Sequence, residues 1–468
     1  MNINKLKNRF NNISDLKIRK INNTYIIFIN SIVDLNKINE YIIKNILNNK
    51  DIKYLGANSV KINDNEIDKY LLSGYTIIYR RYIYAVETKG NLIRSIERPT
   101  VETDPYGPKD SFNESIENNI GLIKRRIKSN KLINDDFVIG SLSNTNISLL
   151  YIKDIADINL VNKIKDKLNN ISIDMIISVG NIKSLLTSDK RSPLPTIMQS
   201  ERPDVVVKSL SEGKIVLVMD NSPNVIIMPT FFIDYINPYV DDYIKPVNAN
   251  YIKIIRYICL IITLIAPGLY ISLINYNIES IPLDLLINFS KQRSIVPFPT
   301  FVEAFIMLII GNILKESDYR FPTSYGSSVS IVGALILGNA AVDAGLISPI
   351  MIIVIAITFI SSMVFTDEEL VNSIRHFRLI LLLLSSILGL YGLFMGILIF
   401  LIHITNINVL GISYTYPLAP LDKTYFFKTI FKKSINKDIK RSKLLVKENI
   451  YKDWYYEEDY TNSYIIIS

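Results

Sequence analysis

A single cysteine, a single tryptophan and two histidines occur in 468 residues. Lone Cys259 excludes a disulfide framework and a thiolate metal site. His376 and His403 are too few for a histidine-based metal or catalytic cluster, and they read as helix-end residues near a membrane interface. There is no G-x-G-x-x-G and no P-loop, so no nucleotide site is implied. The carboxylates have no nucleophile, metal cluster or glycine-rich loop beside them. The chain is therefore expected to carry no catalytic residue, no metal and no cofactor, and not to be an enzyme. The first 50 residues also lack a clean apolar h-region with a small-residue cleavage site. The N-terminal half is thus expected in the cytosol, with the first membrane span doing the targeting. Acidic side chains are outnumbered 44 to 52, a net charge of +8. Much of the excess follows the last apolar run, at Lys423, Lys428, Lys432, Lys433, Lys437, Lys440, Arg441 and Lys443. That placement fits a basic tail against anionic lipid and not a nucleic-acid surface.

Most long apolar runs lie between 254 and 404. A mean hydropathy of +0.23 beside 21% charged residues fits a soluble part joined to a membrane part. The expected fold class is an α+β (mixed α/β) cytosolic N-terminal region, then an α-helical multi-span membrane domain, then a short basic cytosolic tail. The expected boundaries are 1–130 and 131–245 for two cytosolic subdomains, 246–410 for the membrane domain and 411–468 for the tail. In the first subdomain TYIIFINSI and YTIIYRRYIYAVE read as strands. A helix from Ser111, with Ser111 and Glu114 as a capping box, ends in Lys124, Arg125 and Arg126. That basic run is either a solvated helix end or a partner contact. In the second subdomain ISLLYI, MIISVG, IVLVMD and NVIIMP read as strands around a helix at about 159–170, in a mixed sheet. Gly213 stops a helix there, and Asn221-Ser222-Pro223 turns a hairpin.

Spans are expected at about 254–274, 328–346, 349–364 and 379–404, with a re-entrant or short pair at 283–315. Pro267-Gly268 would kink or interrupt the first, Ser348-Pro349 starts the third, and Leu379 to Ile404 reads as uninterrupted. Four or six crossings both leave the two ends in the cytosol.

Two constellations are candidate sites. The first lies in Tyr325 to Phe365. At about 100° per residue, Ser330, Ala334, Gly338, Ala341 and Gly345 fall on one stripe suited to close helix packing. Asn339 and Asp343, four apart, fall on the opposite side. They are candidate pore or cavity lining, because an intramembrane carboxylate costs roughly 3 kcal/mol and is usually functional. The bland alternative makes Asp343 a helix-end residue reaching the interface. The second constellation is Glu97, Arg98, Glu102, Glu201, Arg202 and Asp204, around two Glu-Arg-Pro motifs. It reads as a polar network joining the subdomains.

Four segments occur in a fixed order: ERPTVETDPYGPKDSFNES with NIGLIKRRIK, SPLPTIMQSERPDVVVKSLSEGKIVLVMDNSPNVIIMPTFF, VPFPTFVEA, and RFPTSYGSSVSIVGALILGNAAVDAGLISPIMIIVIAITFISS. In these the chain resembles the A subunit of the GerA family of spore germination receptors, over most of its length. The resemblance implies a multi-pass protein of the inner membrane of a Clostridium- or Bacillus-type spore. It further implies a membrane B-type subunit and a lipoprotein C-type subunit as partners, and a homo-oligomer forming a gated ion channel. An accessory membrane protein of the same family, or a secondary transporter component, is the other reading. The chain has Tyr106-Gly107-Pro108 where the family has Arg-Gly-Pro, Ser111 in place of a second glycine, and Leu308 and Asn312 where the family carries acids.

Overall fold

The computed structural model describes residues 6, 9–10, 13–47, 59–90, 99, 102, 106–187, 189, 191–318, 338–434, 438 and 440–452. Glu97, Arg98, Ser330, Ala334 and most of the span expected at 328–346 lie outside the described residues.

Two five-stranded sheets build the soluble part. The first comprises β1 (Leu16–Ile21), β2 (Thr24–Ile29), β3 (Ser59–Lys61), β4 (Tyr75–Tyr79) and β5 (Ile83–Glu87), in the order β1-β2-β4-β5-β3. Alternation along β2 and β4 sends side chains to opposite faces. Ile27, Ile29 and Ile77 pack with Ile67 and Leu71 of α1 (Ile67–Leu72), while Ile26, Phe28 and Ile78 cover Ile38, Ile42 and Ile46.

The second sheet holds β6 (Leu132–Ile139), β7 (Thr145–Ile152), β8 (Met198–Ser200), β9 (Ile215–Met219) and β10 (Val225–Met228), in the order β6-β7-β9-β10-β8. Its centre, β9, is buried on both faces, which is why it reads as an unbroken apolar run. Val216 and Val218 meet α2 (Ile116–Arg126) and α5 (Pro203–Ser211). Ile215, Leu217 and Met219 share a core with α3 (Ile158–Asn169) and α4 (Val179–Leu186). Every pairing is antiparallel, which corrects the expected mixed sheet. Hairpins supply β6–β7 and β9–β10, and the helices between β7 and β9 return the chain without imposing a parallel crossover. MIISVG forms no strand, and Met175 and Ile177 are exposed there. The α2 helix starts at Ile116 with Ser115 as its cap, not at Ser111. Ser111 is buried and donates to the Glu201 carbonyl at 3.0 Å. Gly213 ends α5 with φ +92, and a Cβ there would lie 2.7 Å from Val446. The turn therefore also admits the C-terminal segment.

Beyond Lys245 the chain is helical: α6 (Pro246–Tyr276), α7 (Leu283–Arg293), α8 (Thr300–Asp318), a helical turn at 338–343, α9 (Pro349–Ser362) and α10 (Glu368–Asn406). Two of these, α6 and α10, are long and apolar enough to cross a membrane. The α6 helix is not interrupted and continues through Pro267, whose surroundings are filled by α10: a Cβ on Gly268 would meet Ser385 at 2.8 Å and Leu393 at 3.1 Å. The 283–315 segment is one 11-residue helix, a Pro297-Phe298-Pro299 break and a 19-residue helix.

The largest departure is in α10. Leu379 to Ile404 does not run through as one helix but folds back on itself at Gly389, which has φ 60 and ψ −139. Phe377 and Phe400 stack edge to face at 4.9 Å, although a straight helix would separate them by about 34 Å. Ser373 donates to the Pro193 carbonyl, and His403 Nε2 lies 2.9 Å from Ser192 Oγ, so both arms end on one loop of the soluble part. Tyr276, closing α6, covers the bend, its hydroxyl 2.7 Å from the Ser386 carbonyl and 2.9 Å from that of Ile387. Hydropathy is continuous through the bend, so the sequence pattern missed it.

Helix α8 runs back from the end of α6 toward the start of α10. Thr300, opening α8, donates to Asn275 at 2.9 Å, while Lys315 near its other end pairs with Glu368 at 2.9 Å. The α9 helix runs the same way, from Ser348 beside Glu303 to the turn before Asp367. The outer faces of α6, α9 and α10 expose apolar side chains, among them Ile258, Ile261, Ile353, Ile360, Leu383 and Ile387, while α7 exposes Asp284, Asn288 and Lys291.

The C-terminal segment returns onto the soluble part. The Tyr414 carbonyl accepts from Phe232 N at 3.1 Å, and the Leu445 carbonyl accepts from Asp157 N at 3.2 Å. Helix α11 (Lys423–Ile430) brings Lys428 to Asp438 at 2.9 Å and Glu212 at 3.8 Å. Lys432 donates to three carbonyls and Arg441 to that of Ser211. Part of the basic run expected to face lipid is thus spent on protein.

Replacing Gly389 by alanine is expected to destabilise the protein by about 1–3 kcal/mol, because L-residues strain at that backbone geometry and Tyr276 occupies the Cβ position. Thermal unfolding of the full chain in detergent checks this, and an unchanged midpoint would remove the bend.

Candidate functional site

Two buried polar constructions and one exposed polar turn stand out, and they sit at different levels of the molecule. The first is the Glu-Arg-Pro network on the soluble part. Glu102, Glu201, Arg202 and Asp204 come together at the end of β8 and the start of α5. Ser200 Oγ donates to Glu102 Oε2 at 2.6 Å, and Glu102 N donates to Glu201 Oε1 at 2.9 Å. Arg202, 2% exposed, grips Asp204 through Nε at 3.1 Å and Nη2 at 2.7 Å, and Tyr243 adds a hydroxyl donor at 2.6 Å. This bidentate geometry outweighs burial and holds the Asp204 carboxyl below its usual range. Glu102 goes the other way: burial pushes it up to about 7, the adjacent Glu201 carboxylate adds to the rise, and the Ser200 hydroxyl opposes it. The network faces a cavity of about 270 Å³ whose other wall is the turn Thr366–Glu369 at the start of α10. Lys183 pairs with Glu369 across it. The network therefore borders the junction of the soluble and helical parts.

The second construction lies deep among the helices, and no pattern in the sequence marked it as a site. Glu303 of α8 is fully buried. Its Oε2 accepts from Ser348 N at 3.0 Å and Ser348 Oγ at 2.8 Å, so the carboxylate caps the start of α9, where unpaired N–H groups and the helix dipole favour an anion. Ser348 was expected to cap its own helix, but its hydroxyl makes no cap bond and goes to Glu303. Glu303 Oε1 and the Tyr270 hydroxyl, both buried, have no hydrogen-bond partner among the described residues. Deeper toward the soluble part, Arg378 is 3% exposed with its guanidinium 5.4 Å from the Phe359 ring centroid. Leu308 is buried in the apolar cluster of α6, α8 and α9, and Asn312 Oδ1 has no partner among the described residues.

The third is the 338–347 segment. Asn339 and Asp343 are both exposed, with Asp343 the last residue of its helical turn. Ala341 packs into the cluster of Tyr270, Leu308 and Met351. Gly345 has left the helix with φ +64, close to Ile295. Around Gly338 no described atom lies within 4 Å of a Cβ position. Among the described residues no group of three or more His, Cys, Asp or Glu could hold a metal ion.

The model of the family described as Bacillus/Clostridium GerA spore germination protein matches residues 4–444. Spore germination protein KA of Bacillus subtilis is 33% identical, over 96% of this chain and 87% of that protein. Spore germination protein XA of Bacillus anthracis is 32% identical, over 76% and 74%. Spore germination protein A1 of Bacillus subtilis is 30% identical, over 84% of each. The crystal structure of the N-terminal domain of the A subunit of the Bacillus megaterium spore germinant receptor GerK3 is 28% identical, covering 49% of this chain and 94% of that one, with a TM-score of 0.37.

Two outcomes are expected. Glu102 keeps its proton in the folded state between 4.5 and about 7 while the unfolded chain loses it, so stability falls as pH rises through that window. Comparing Glu102→Gln with the parent by thermal unfolding across the window should flatten the slope, by an amount on the order of 2 kcal/mol. At the second construction, Glu303→Ala strands the Ser348 N–H and hydroxyl and should cost about 1–3 kcal/mol more than Glu303→Gln, which keeps an acceptor. Equal midpoints for the two variants would show that the contact carries no weight.

Proposed function

The chain belongs to the GerA family of spore germination proteins, and on that premise we propose that it is the A-type integral-membrane subunit of a nutrient germinant receptor. In this reading it sits in the spore inner membrane and assembles around a gated cation channel. The observation that carries the channel is the exposure of Asn339 and Asp343 on the helical turn just before α9, whose own exposed residues Ile353, Ile357 and Ile360 are apolar. A carboxylate turned to lipid costs roughly 3 kcal/mol on insertion scales, so this face is turned to water or to another subunit. A ring of such carboxylates selects cations. Beside Asn339, Gly338 has no described atom within 4 Å of its Cβ position, which suits close approach of a neighbouring helix.

Six passes fit best, because α8 and α9 run the same way and the span expected at 328–346 lies between them: α6, α8, that expected span, α9 and the two arms of α10. An even number is supported by the return of the C-terminal segment to the soluble part where α6 begins. Both ends are then cytosolic. At 14 residues, α9 is about 21 Å long against a hydrocarbon core of about 30 Å, so a shared polar interior or a thinned bilayer goes with this architecture. A B-type membrane subunit and a lipoprotein C-type subunit complete the receptor, and exposed Lys423, Lys433 and Lys443 face anionic lipid.

The test is ion permeation by the purified chain reconstituted in planar bilayers. Asp343→Asn is expected to lower the cation-to-anion permeability ratio several-fold. A ratio unchanged by the substitution rejects the lining role, and a strictly monomeric, non-conducting protein rejects the channel.

A further inference from the structure

The basic run Lys124, Arg125, Arg126 at the end of α2 splits three ways in the fold. Lys124 turns inward to buried Asp15, tying the two sheets together, and burial of that carboxyl is outweighed by the ammonium, which holds its pKa down. Arg126 pairs with Asp110 at 2.7 Å. Arg125 does neither. It lines a crevice of about 510 Å³ between the first sheet and the end of α2, together with Lys37, Lys89 and Lys128. Among the described residues the lining carries one carboxylate, Glu87, which already has a partner of its own. Lys37 donates to the Lys89 carbonyl at 2.8 Å. Arg125, Lys89 and Lys128 have no ion pair or hydrogen bond from their side chains among the described residues.

Helix polarity accounts for a cation at the end of α2. It does not account for Lys37 and Lys89, which arrive from the opposite wall on different elements. Like charges brought together in a concavity repel one another and focus a positive potential on its interior. The floor is kept open by Gly74, whose φ is +86 and whose Cβ would lie 3.2 Å from both Lys89 Cγ and the Ile32 carbonyl. A side chain there would displace Lys89. The volume lies within the range typical of small-molecule sites, about 300–1,000 Å³. A guanidinium with ammonium groups beside it matches phosphoryl oxygens in charge and in donor geometry.

We propose that this crevice binds a small soluble polyanion bearing phosphoryl groups, held by Arg125 and Lys128 from one wall and Lys37 and Lys89 from the other. Such a ligand bridges the two sheets, so its binding stabilises their junction. The site lies on the soluble part and does not depend on the channel reading, so loss of conductance in an Asp343 variant leaves it untouched.

The probe is pyrophosphate, titrated calorimetrically into the full chain in detergent, with citrate as a second anion. Pyrophosphate is expected to bind saturably with a Kd at or below about 1 mM, more weakly as salt rises. Arg125→Gln with Lys128→Gln should weaken it at least tenfold while leaving the ligand-free unfolding midpoint in place, since both side chains are exposed. Lys433→Gln, outside the crevice, should bind as the parent does. Absence of saturable binding, or equal binding by the double variant, overturns the site. Binding of citrate without pyrophosphate overturns the phosphoryl assignment.

Discussion

The bend at Gly389 is the constraint on which the helical part depends. A residue without a Cβ takes a backbone geometry that others resist, and Tyr276 fills the space a side chain would need. The two arms of α10 then lie side by side and return the chain to the loop at Ser192 and Pro193. Straightened, the same residues would carry the C-terminal segment far from the soluble part. Its backbone hydrogen bonds with Phe232 and Asp157 exist because the hairpin brings it back.

Charge is managed differently on each side of that junction. In the soluble part buried ions are paired: Lys214 with Asp234 at 2.7 Å, Lys124 with Asp15, Arg202 with Asp204. Breaking one such pair leaves a charge in low dielectric, which costs far more than the pair contributes. Among the helices Glu303 is stabilised instead by a helix start and two donors of Ser348, and Arg378 by an aromatic face. Glu102, placed at the boundary beside a second carboxylate, is the group held near neutrality. The Thr366–Glu369 turn shares its cavity.

How far each feature could be read in advance followed from the range of the interaction behind it. Strand runs such as YTIIYRRYIYAVE and IVLVMD were legible because alternation and β-branching act on neighbours a few residues apart. The stop at Gly213 and the hairpin after it were legible for the same reason. MIISVG misled, since an apolar run does not by itself make a strand: the segment pairs with no described strand and leaves Met175 and Ile177 exposed. Ser111 misled because a capping pattern competed with a long-range bond to Glu201. Of the expected Glu-Arg-Pro network, Glu102, Glu201, Arg202 and Asp204 lie together, while Glu97 and Arg98 of the first motif are outside the described residues. Glu303 was not legible as a site, because its partner Ser348 lies 45 residues away.

By itself, the sequence determined the class of the protein. The scarcity of cysteine and histidine, the apolar runs after residue 254 and four ordered motifs established an α+β region joined to helices, and the family. Those signals are local, and each survives in any arrangement of the segments. Tertiary structure alone decided that both sheets are antiparallel, that α10 is a hairpin, that the basic tail docks on protein and that Arg125 is left facing a crevice. Direction of a helix, pairing of a buried charge and the shape of a cavity depend on which distant residues share a space, and hydropathy averaged along a chain carries no record of that.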